Sequence, residues 1–249
     1  MLLDLTCMSL LSFLLSKGCV MKNLLFICVC LLLSACETAS LELVITEPVI
    51  VETVTVETVT VETVAVEFVS HRGIYSDDNT LQGFYNAINL GFDSIEVDIR
   101  MHNGVVVLAH DKTIDGVAYE TLESLLYFAS NNNVKLWIET KEYRAVAPTM
   151  SQLSAYNLDV VFFSYRQADI DLAISIDPEI TTGILITRES QLDDVIDAEW
   201  VALPHQFVIV NYDKIKHLNI AAWTIKKQSE YDDVKDYVDA IISDIEITE

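Results

Sequence analysis

Residues 91–112 read GFDSIEVDIRMHNGVVVLAHDK, and the fold turns on which way the first half of that stretch faces. Side chains of an extended strand alternate between its two sides. Over 93–99, Ile95, Val97 and Ile99 therefore share one face, and Glu96 and Asp98 share the other. The apolar set asks for a hydrophobic layer, so the two carboxylates must point away from it, toward an interior that tolerates charge. The segment after Gly104, VVVLAH, follows too closely for a helical crossover and is expected to turn back as a hairpin. It closes on His110-Asp111.

Short apolar runs recur along the chain. Those at 68–71, 93–99, 134–140, 159–164, 182–187, 199–203, 219–225 and 239–244 read as strands. Amphipathic stretches lie between them, among them NTLQGFYNAINLG, TLESLLYFAS and YDDVKDYV; the first has Asn79 or Thr80 as its cap and Gly91 near its end. Eight strands, each but the last followed by a helix-like segment, predict parallel β/α units. The expected fold is α/β: a compact (β/α)8 TIM barrel over residues 67–249, with a short extra hairpin strand after the second strand. A doubly wound open sheet is the alternative. In a barrel the apolar face of 93–99 packs on the outer helices. The acidic pair then faces the axis at the C-terminal end of its strand, where active sites of this fold gather.

KLWIETK at 135–141 repeats the arrangement, with Trp137, Glu139 and Lys141 on one face and Leu136 and Ile138 on the other. Carboxylates held close repel unless a proton or a cation lies among them. One inward carboxylate is ordinarily a salt-bridged core residue. Glu96, Asp98 and Glu139 together read instead as oxygen ligands for one hard divalent cation, Ca2+ or Mg2+. A thiolate site is excluded, because all five cysteines (Cys7, Cys19, Cys28, Cys30 and Cys36) precede the domain. His102, His205 and His217 fall in no motif.

Met21 to Cys36, MKNLLFICVCLLLSAC, has a basic start at Lys22, an apolar run and small residues before a cysteine, the plan of a secretory signal. The run is shorter than the ~20 residues a membrane span needs. Leu33-Ser34-Ala35-Cys36 resembles the lipobox of bacterial lipoproteins, which implies cleavage before Cys36 and a lipid on its thiol; a plain secretory signal is the alternative. Residues 1–35 are thus expected to be a signal region with its true start at Met21. Residues 36–66 are expected to be the lipidated cysteine and a stalk. Along that stalk Glu42, Glu47, Glu52, Glu57, Glu62 and Glu67 recur every five residues, an odd period that cannot bury one consistent face. The expected location is the bacterial cell envelope, exported and anchored to a membrane through Cys36, with Glu37 favouring the outer membrane. The chain carries −23, and loss of residues 1–35 with their net +1 leaves −24. Such a balance argues against nucleic acid as a partner, and an anionic substrate would need a local positive centre.

The stretch SHRGIYSDDNTLQGFYNAINLGFDSIEVDIRMHNGVVVLAHD, followed by LWIETK, FFSY, AAWTIK and IISD, resembles the glycerophosphodiester phosphodiesterase family from Ser70 to Asp244. The resemblance is carried by His71-Arg72-Gly73, Glu96-x-Asp98, His110-Asp111 and Glu139-x-Lys141, in that order. It implies a TIM barrel, one divalent cation held by Glu96, Asp98 and Glu139, and two catalytic histidines, His71 and His110. His110 is assigned to protonation of the leaving group. Arg72 and Lys141 would bind the substrate's phosphate, and Trp223 would pack on its apolar part. Asp111 is expected to orient His110, and Asp244 to stand behind the site. The implied reaction is metal-dependent hydrolysis of a small glycerophosphodiester to an alcohol and sn-glycerol 3-phosphate, which needs charge neutralisation and two proton transfers.

The chain also departs from the family pattern. Asp77-Asp78-Asn79-Thr80 stands where the family has Pro-Glu-Asn-Thr, and no proline follows Ser243-Asp244. Only 27 residues separate Asp111 from Glu139, where many members carry a longer insertion. A cleft opened by that shortening makes lysophospholipids the alternative substrate, as in lysophospholipase D and sphingomyelinase D-like enzymes. A rival from another class is a non-catalytic envelope lipoprotein that uses the barrel for binding or spacing.

Overall fold

The computed structural model describes residues 65–75, 78–194 and 198–248. The signal region, Cys36 and all of the stalk before residue 65 lie outside the described residues. The elements run β1 (Glu67–His71), α1 (Leu81–Asn89), β2 (Ser94–His102), β3 (Val105–Leu108), α2 (Leu122–Asn132), β4 (Lys135–Thr140), α3 (Tyr143–Leu153), β5 (Val160–Ser164), α4 (Gln167–Ile176), β6 (Thr181–Leu185), β7 (Trp200–Pro204), α5 (His205–Ile215), β8 (Asn219–Ile225), α6 (Gln228–Val234) and β9 (Ala240–Ser243). Eight strands pair in parallel in the order β1-β2-β4-β5-β6-β7-β8-β9, and β1 closes the ring by bonding both β2 and β9. The fold is therefore a TIM barrel with one extra strand. The open-sheet alternative fails, because β1 would then have a free edge.

The extra strand β3 runs antiparallel to β2 over Ile99–His102. It takes the edge that β1 leaves vacant after His71. The Glu96 carbonyl accepts from Arg72 N at 3.0 Å, and the next carbonyl on that side, of Asp98, accepts from Ala109 N at 2.9 Å. The hairpin thus prolongs the barrel wall above the ring and delivers His110 to its rim.

The two faces of 93–99 behave as their alternation requires. Ile95, Val97 and Ile99 are fully buried in the layer between barrel and helices, with Leu136, Ile138 and Phe162. Each such side chain contributes roughly 1.5–3 kcal/mol. A separate interior cluster of Val69, Trp137, Val161, Phe163, Leu185, Ala202, Ala221, Ala240 and Ile242 fills the barrel. Side-chain caps set the starts of α1 and α2: Thr80 accepts from Gly83 N and Thr121 from Ser124 N, both at 3.1 Å. Helix α2 ends on Asn133 in the left-handed conformation, φ 51°. Between β6 and β7 the described residues form a 3-10 turn, Glu189–Asp194, where a helix was expected.

Glu67, last of the five-residue series, is the first residue of β1. Its Oε1 accepts from Trp137 Nε1 at 2.9 Å and from the Ser94 hydroxyl, and its Oε2 meets Lys135 Nζ at 2.8 Å. Lys135 also lies 5.3 Å and 5.6 Å from the ring centroids of Trp137 and Trp200. The N-terminal mouth of the barrel is thus plugged by one carboxylate with three donors. Glu67→Ala would strand those donors and is expected to cost about 2–3 kcal/mol, roughly 5–10 °C in Tm, with Glu67→Gln milder. Thermal melts of both variants check this, and an unshifted Glu67→Ala would show the plug to be dispensable.

Candidate active site

Strand register assembles the site. His71 at the end of β1 lies opposite Glu96 on β2, and Asp98 lies opposite Glu139 on β4. Alternation turns all three carboxylates inward, where Glu96 is 2 % exposed, Asp98 0 % and Glu139 5 %. One oxygen from each lies within 4.8 Å of the others. Asp98 is the hub of the surrounding contacts. Arg72 Nε and Lys141 Nζ each lie 2.9 Å from it, and Asn79 Nδ2 donates to it at 3.0 Å. Lys141 also pairs with Glu139.

These charges fix the protonation states. Burial, with the Asp98 and Glu139 charges added, pushes the Glu96 carboxyl well above its usual range. Burial raises Glu139 to about 7, Lys141 opposing and Asp98 assisting. For Asp98 burial acts upward too, but Lys141, Arg72 and the Asn79 bond hold it below its ordinary value. Burial works against the Lys141 ammonium, yet Glu139 and Asp98 raise its pKa. Fully ionised, the three carboxylates would outnumber the two cations they face, and without a further cation protons on Glu96 and Glu139 make up the difference. Asp98 Oδ1 and Glu139 Oε1 have no aligned hydrogen bond, only ion pairs to the Lys141 ammonium. An all-oxygen donor set that has surplus charge when ionised, and unsatisfied lone pairs, fits a hard divalent cation.

The loop after β1 is shaped to bring Arg72 there. Arg72 and Asn79 both have positive φ, 59° and 56°, and Asn79 N donates to Arg72 O at 2.7 Å. Gly73, φ 92°, lets this loop rest on α1: a Cβ there would lie 2.8 Å from the Gly83 carbonyl carbon. Asn79 is therefore not the helix cap, a task that falls to Thr80. Its side chain bridges instead to Asp98, Oδ1 accepting from Asp98 N and Nδ2 donating to Oδ2, both at 3.0 Å.

His71 Nδ1 meets Asp244 Oδ1 at 2.5 Å, with Lys226 Nζ 3.5 Å from the other oxygen. Partial burial tends to raise Asp244, but the His71 bond and charge and the Lys226 charge hold it below its usual value. His110 Nδ1 lies 3.0 Å from Asp111 Oδ1. Its backbone is pinned from β2, because the His110 carbonyl accepts from Arg100 Nε at 2.9 Å and Nη2 at 2.8 Å. Arg100 and this anchoring role are invisible in the sequence motif.

A cavity of about 120 Å3 is lined by His71, Arg72, Glu96, His110, Glu139 and Trp223, together with Tyr165, the last residue of FFSY, to which the sequence assigned no role. Asp98 and Lys141 touch its lining residues from outside. A wider cleft of about 630 Å3 shares Arg72 and His110 with it and continues past Leu108, Ile114, Ala118 and Tyr119. Tyr165 presents its ring to Lys141 Nζ, 5.4 Å from the centroid, and meets Trp223 edge-on at 6.4 Å. Burial and then the charges of Glu139, Asp98 and Glu96 hold its phenol protonated.

The profile of the Glycerophosphoryl diester phosphodiesterase family matches residues 70–119. No curated protein sequence matches the chain. Among solved structures, a glycerophosphodiester phosphodiesterase from Parabacteroides distasonis superposes with TM-score 0.63 at 16 % identity, over 73 % of this chain and 93 % of that one. A phosphodiesterase from Oleispira antarctica, in complex with the product sn-glycerol-3-phosphate, does so with TM-score 0.64 at 20 % identity, over 73 % and 94 %. A glycerophosphodiester phosphodiesterase from Thermotoga maritima does so with TM-score 0.58 at 22 % identity, over 72 % and 94 %. At these identities the structures establish a shared barrel. Residues 70–119, with His71, Arg72, Glu96, Asp98 and His110 among them, thus carry the sequence of the glycerophosphoryl diester phosphodiesterase family, on the barrel that those structures share.

Proposed function

We propose that this protein is a divalent-metal-dependent glycerophosphodiester phosphodiesterase, releasing an alcohol and sn-glycerol 3-phosphate. The observation that carries the reading is the meeting of a buried Glu96–Asp98–Glu139 triad with His71, Arg72 and His110 around one cavity. The cation, Ca2+ or Mg2+, would be held by Glu96, Asp98 and Glu139 and would supply charge neutralisation at a phosphate oxygen. Arg72, ion-paired with Asp98 through Nε and with Asp78 3.8 Å from Nη1, would offer Nη2 to the phosphate. Lys141 pairs with both Asp98 and Glu139, holding Asp98 ionised and opposing the effect of burial on Glu139. His71, backed by Asp244, is the base that accepts a proton from the attacking water. His110 lines both the small cavity and the wider cleft, which suits it to protonate the alcohol leaving toward that cleft.

The wider cleft, with Leu108, Ile114, Ala118 and Tyr119 along it, favours one further reading: it can take the acylated glycerol end of a lysophospholipid, which stays on the phosphate while the head-group alcohol departs. Anchoring to the envelope through Cys36 belongs to the same proposal and is supported by the sequence of residues 21–36.

The experiment takes the chain from Ser40 onward, strips it with chelator, and resupplies Ca2+ or Mg2+ separately. It is offered glycerophosphocholine and lysophosphatidylcholine, and the phosphorus-containing product is identified. Metal-dependent release of sn-glycerol 3-phosphate from glycerophosphocholine is the expected result. Turnover of the lysolipid alone would move the assignment to the second reading. Turnover of neither, with either metal, would leave a binding module.

A further inference from the structure

The small cavity is built from two arcs of the barrel. The β1, β2 and β4 side, with the hairpin, supplies His71, Arg72, Glu96, His110 and Glu139; the β5-to-β9 side supplies Phe163, Leu185, Trp223 and Ile242. Tyr165 stands just past the end of β5, where the arcs meet, and its fixation is unusually thorough. The residues on either side of it are tied to one fully buried carboxylate: Asp169 Oδ2 accepts from Ser164 Oγ at 2.6 Å, from Arg166 Nε at 2.9 Å and from Arg166 Nη2 at 2.8 Å. Arg166 N closes the clamp on Ser164 Oγ at 3.2 Å. A side chain anchored at both neighbours and braced on Trp223 has little freedom left, which is the condition for a group that must meet a ligand in one geometry.

Its chemistry differs from that of the charged donors there. Arg72 and the histidines are cationic or can become so, and suit the phosphate. Tyr165 and Thr224 bring the hydroxyls among the lining residues, and a phenol both donates and accepts. A partner that also donates and accepts is an alcohol, not a phosphate oxygen. At ~30 Å3 per water, a cavity of about 120 Å3 holds the equivalent of a few waters, the scale of a three-carbon polyol end and too small for an acyl chain.

We propose that Tyr165 is a specificity-determining residue: its hydroxyl hydrogen-bonds a hydroxyl of the substrate's polyol end, while its ring face backs the Lys141 ammonium. This rests on the phosphodiesterase reading for the identity of the ligand. Selection for the polyol comes from the hydrogen bond to the Tyr165 hydroxyl that a ligand without its own hydroxyl cannot make. The ring adds a cation–π contact, 5.4 Å from centroid to Nζ, to an ammonium already paired with Asp98 and Glu139.

The test compares wild type with Tyr165→Phe and Tyr165→Leu, using calorimetric binding of sn-glycerol 3-phosphate and of propyl phosphate, which lacks the hydroxyls, in the presence of the divalent cation. Turnover of glycerophosphocholine and of its propyl counterpart is measured alongside. Wild type is expected to prefer the glycerol ligand roughly tenfold, and Tyr165→Phe to lose that preference through KM, with propyl binding unchanged and Tm within about 2 °C. Tyr165→Leu is expected to weaken both ligands. Equal loss on both ligands in Tyr165→Phe, or an intact preference, overturns the proposal while wild-type turnover leaves the phosphodiesterase reading intact. Absence of any turnover, with neither phosphate ester bound, overturns both.

Discussion

His71→Ala is expected to lower kcat by about 10³-fold or more at unchanged Tm, and Asp244→Ala by roughly 10–100-fold. The argument starts from geometry. Among the described contacts of the His71 ring, Asp244 at 2.5 Å is the carboxylate that fixes its orientation, and it sets Nε2 as the nitrogen free to take a proton. Asp244 remains ionised far below neutrality, because His71 and Lys226 outweigh the effect of its burial. It therefore stabilises the imidazolium as it forms and holds the ring while it is neutral. The two residues act as one unit, so the double variant should be little worse than His71→Ala alone. Additive losses in that cycle would place Asp244 in a separate task. His110→Ala should fall in the range of about 10²–10⁴ but show no coupling to Asp244. Neither histidine belongs to the core, so melting temperatures separate loss of chemistry from loss of fold.

That the His71–Asp244 pair matters was only partly legible in the sequence. Alternation is a local signal, and it placed Glu96, Asp98 and Glu139 on inward faces because each strand declares its own two sides. The spans of all eight barrel strands follow from the same signal. What connects residues 173 positions apart does not. Barrel closure brings the end of β9 beside the end of β1, and only then does Asp244 reach His71. Asn79 shows the same limit on a shorter scale. Both Asn79 and Thr80 are good caps, and the choice between them was settled by Asp98, whose backbone N–H and carboxylate claim the Asn79 amide. Glu67 was hidden differently, by a repeat that makes it look like five other glutamates although it plugs the barrel. Tyr165 closes the FFSY stretch but drew no role from it: a tyrosine after an apolar strand is unremarkable until Lys141 is found beneath its ring.

The largest effect of solution conditions should come from the triad itself. In the metal-free protein Glu139 titrates at about 7, against 4.5 for an ordinary glutamate, and Glu96 is likewise raised. Between those two values the folded state binds more protons than the unfolded one. Stability must then fall as pH rises through that window, and the loss is complete above the folded pKa. From the Glu139 shift alone this amounts to about 3 kcal/mol. Asp98 has the opposite sign, since its depressed pKa contributes stability above pH 4 that disappears only on further acidification. Metal-free protein should accordingly be most stable near pH 4–5 as far as these groups are concerned, and lose melting temperature toward pH 7.5. A divalent cation competes with those same protons, because its ligands must be ionised. Its stabilising effect should be small at pH 5 and large at pH 8, reaching ~2.7 kcal/mol at a hundredfold excess over Kd, roughly 5–10 °C. Glu139→Gln removes both behaviours at once: the melting temperature becomes less dependent on pH between 5 and 7.5, and the response to cation collapses. Thermal melts of both proteins across pH 4–8, with and without Ca2+ or Mg2+, read this directly. A wild-type melting temperature indifferent to either cation at pH 8 would show that Lys141 and Arg72 alone satisfy the triad.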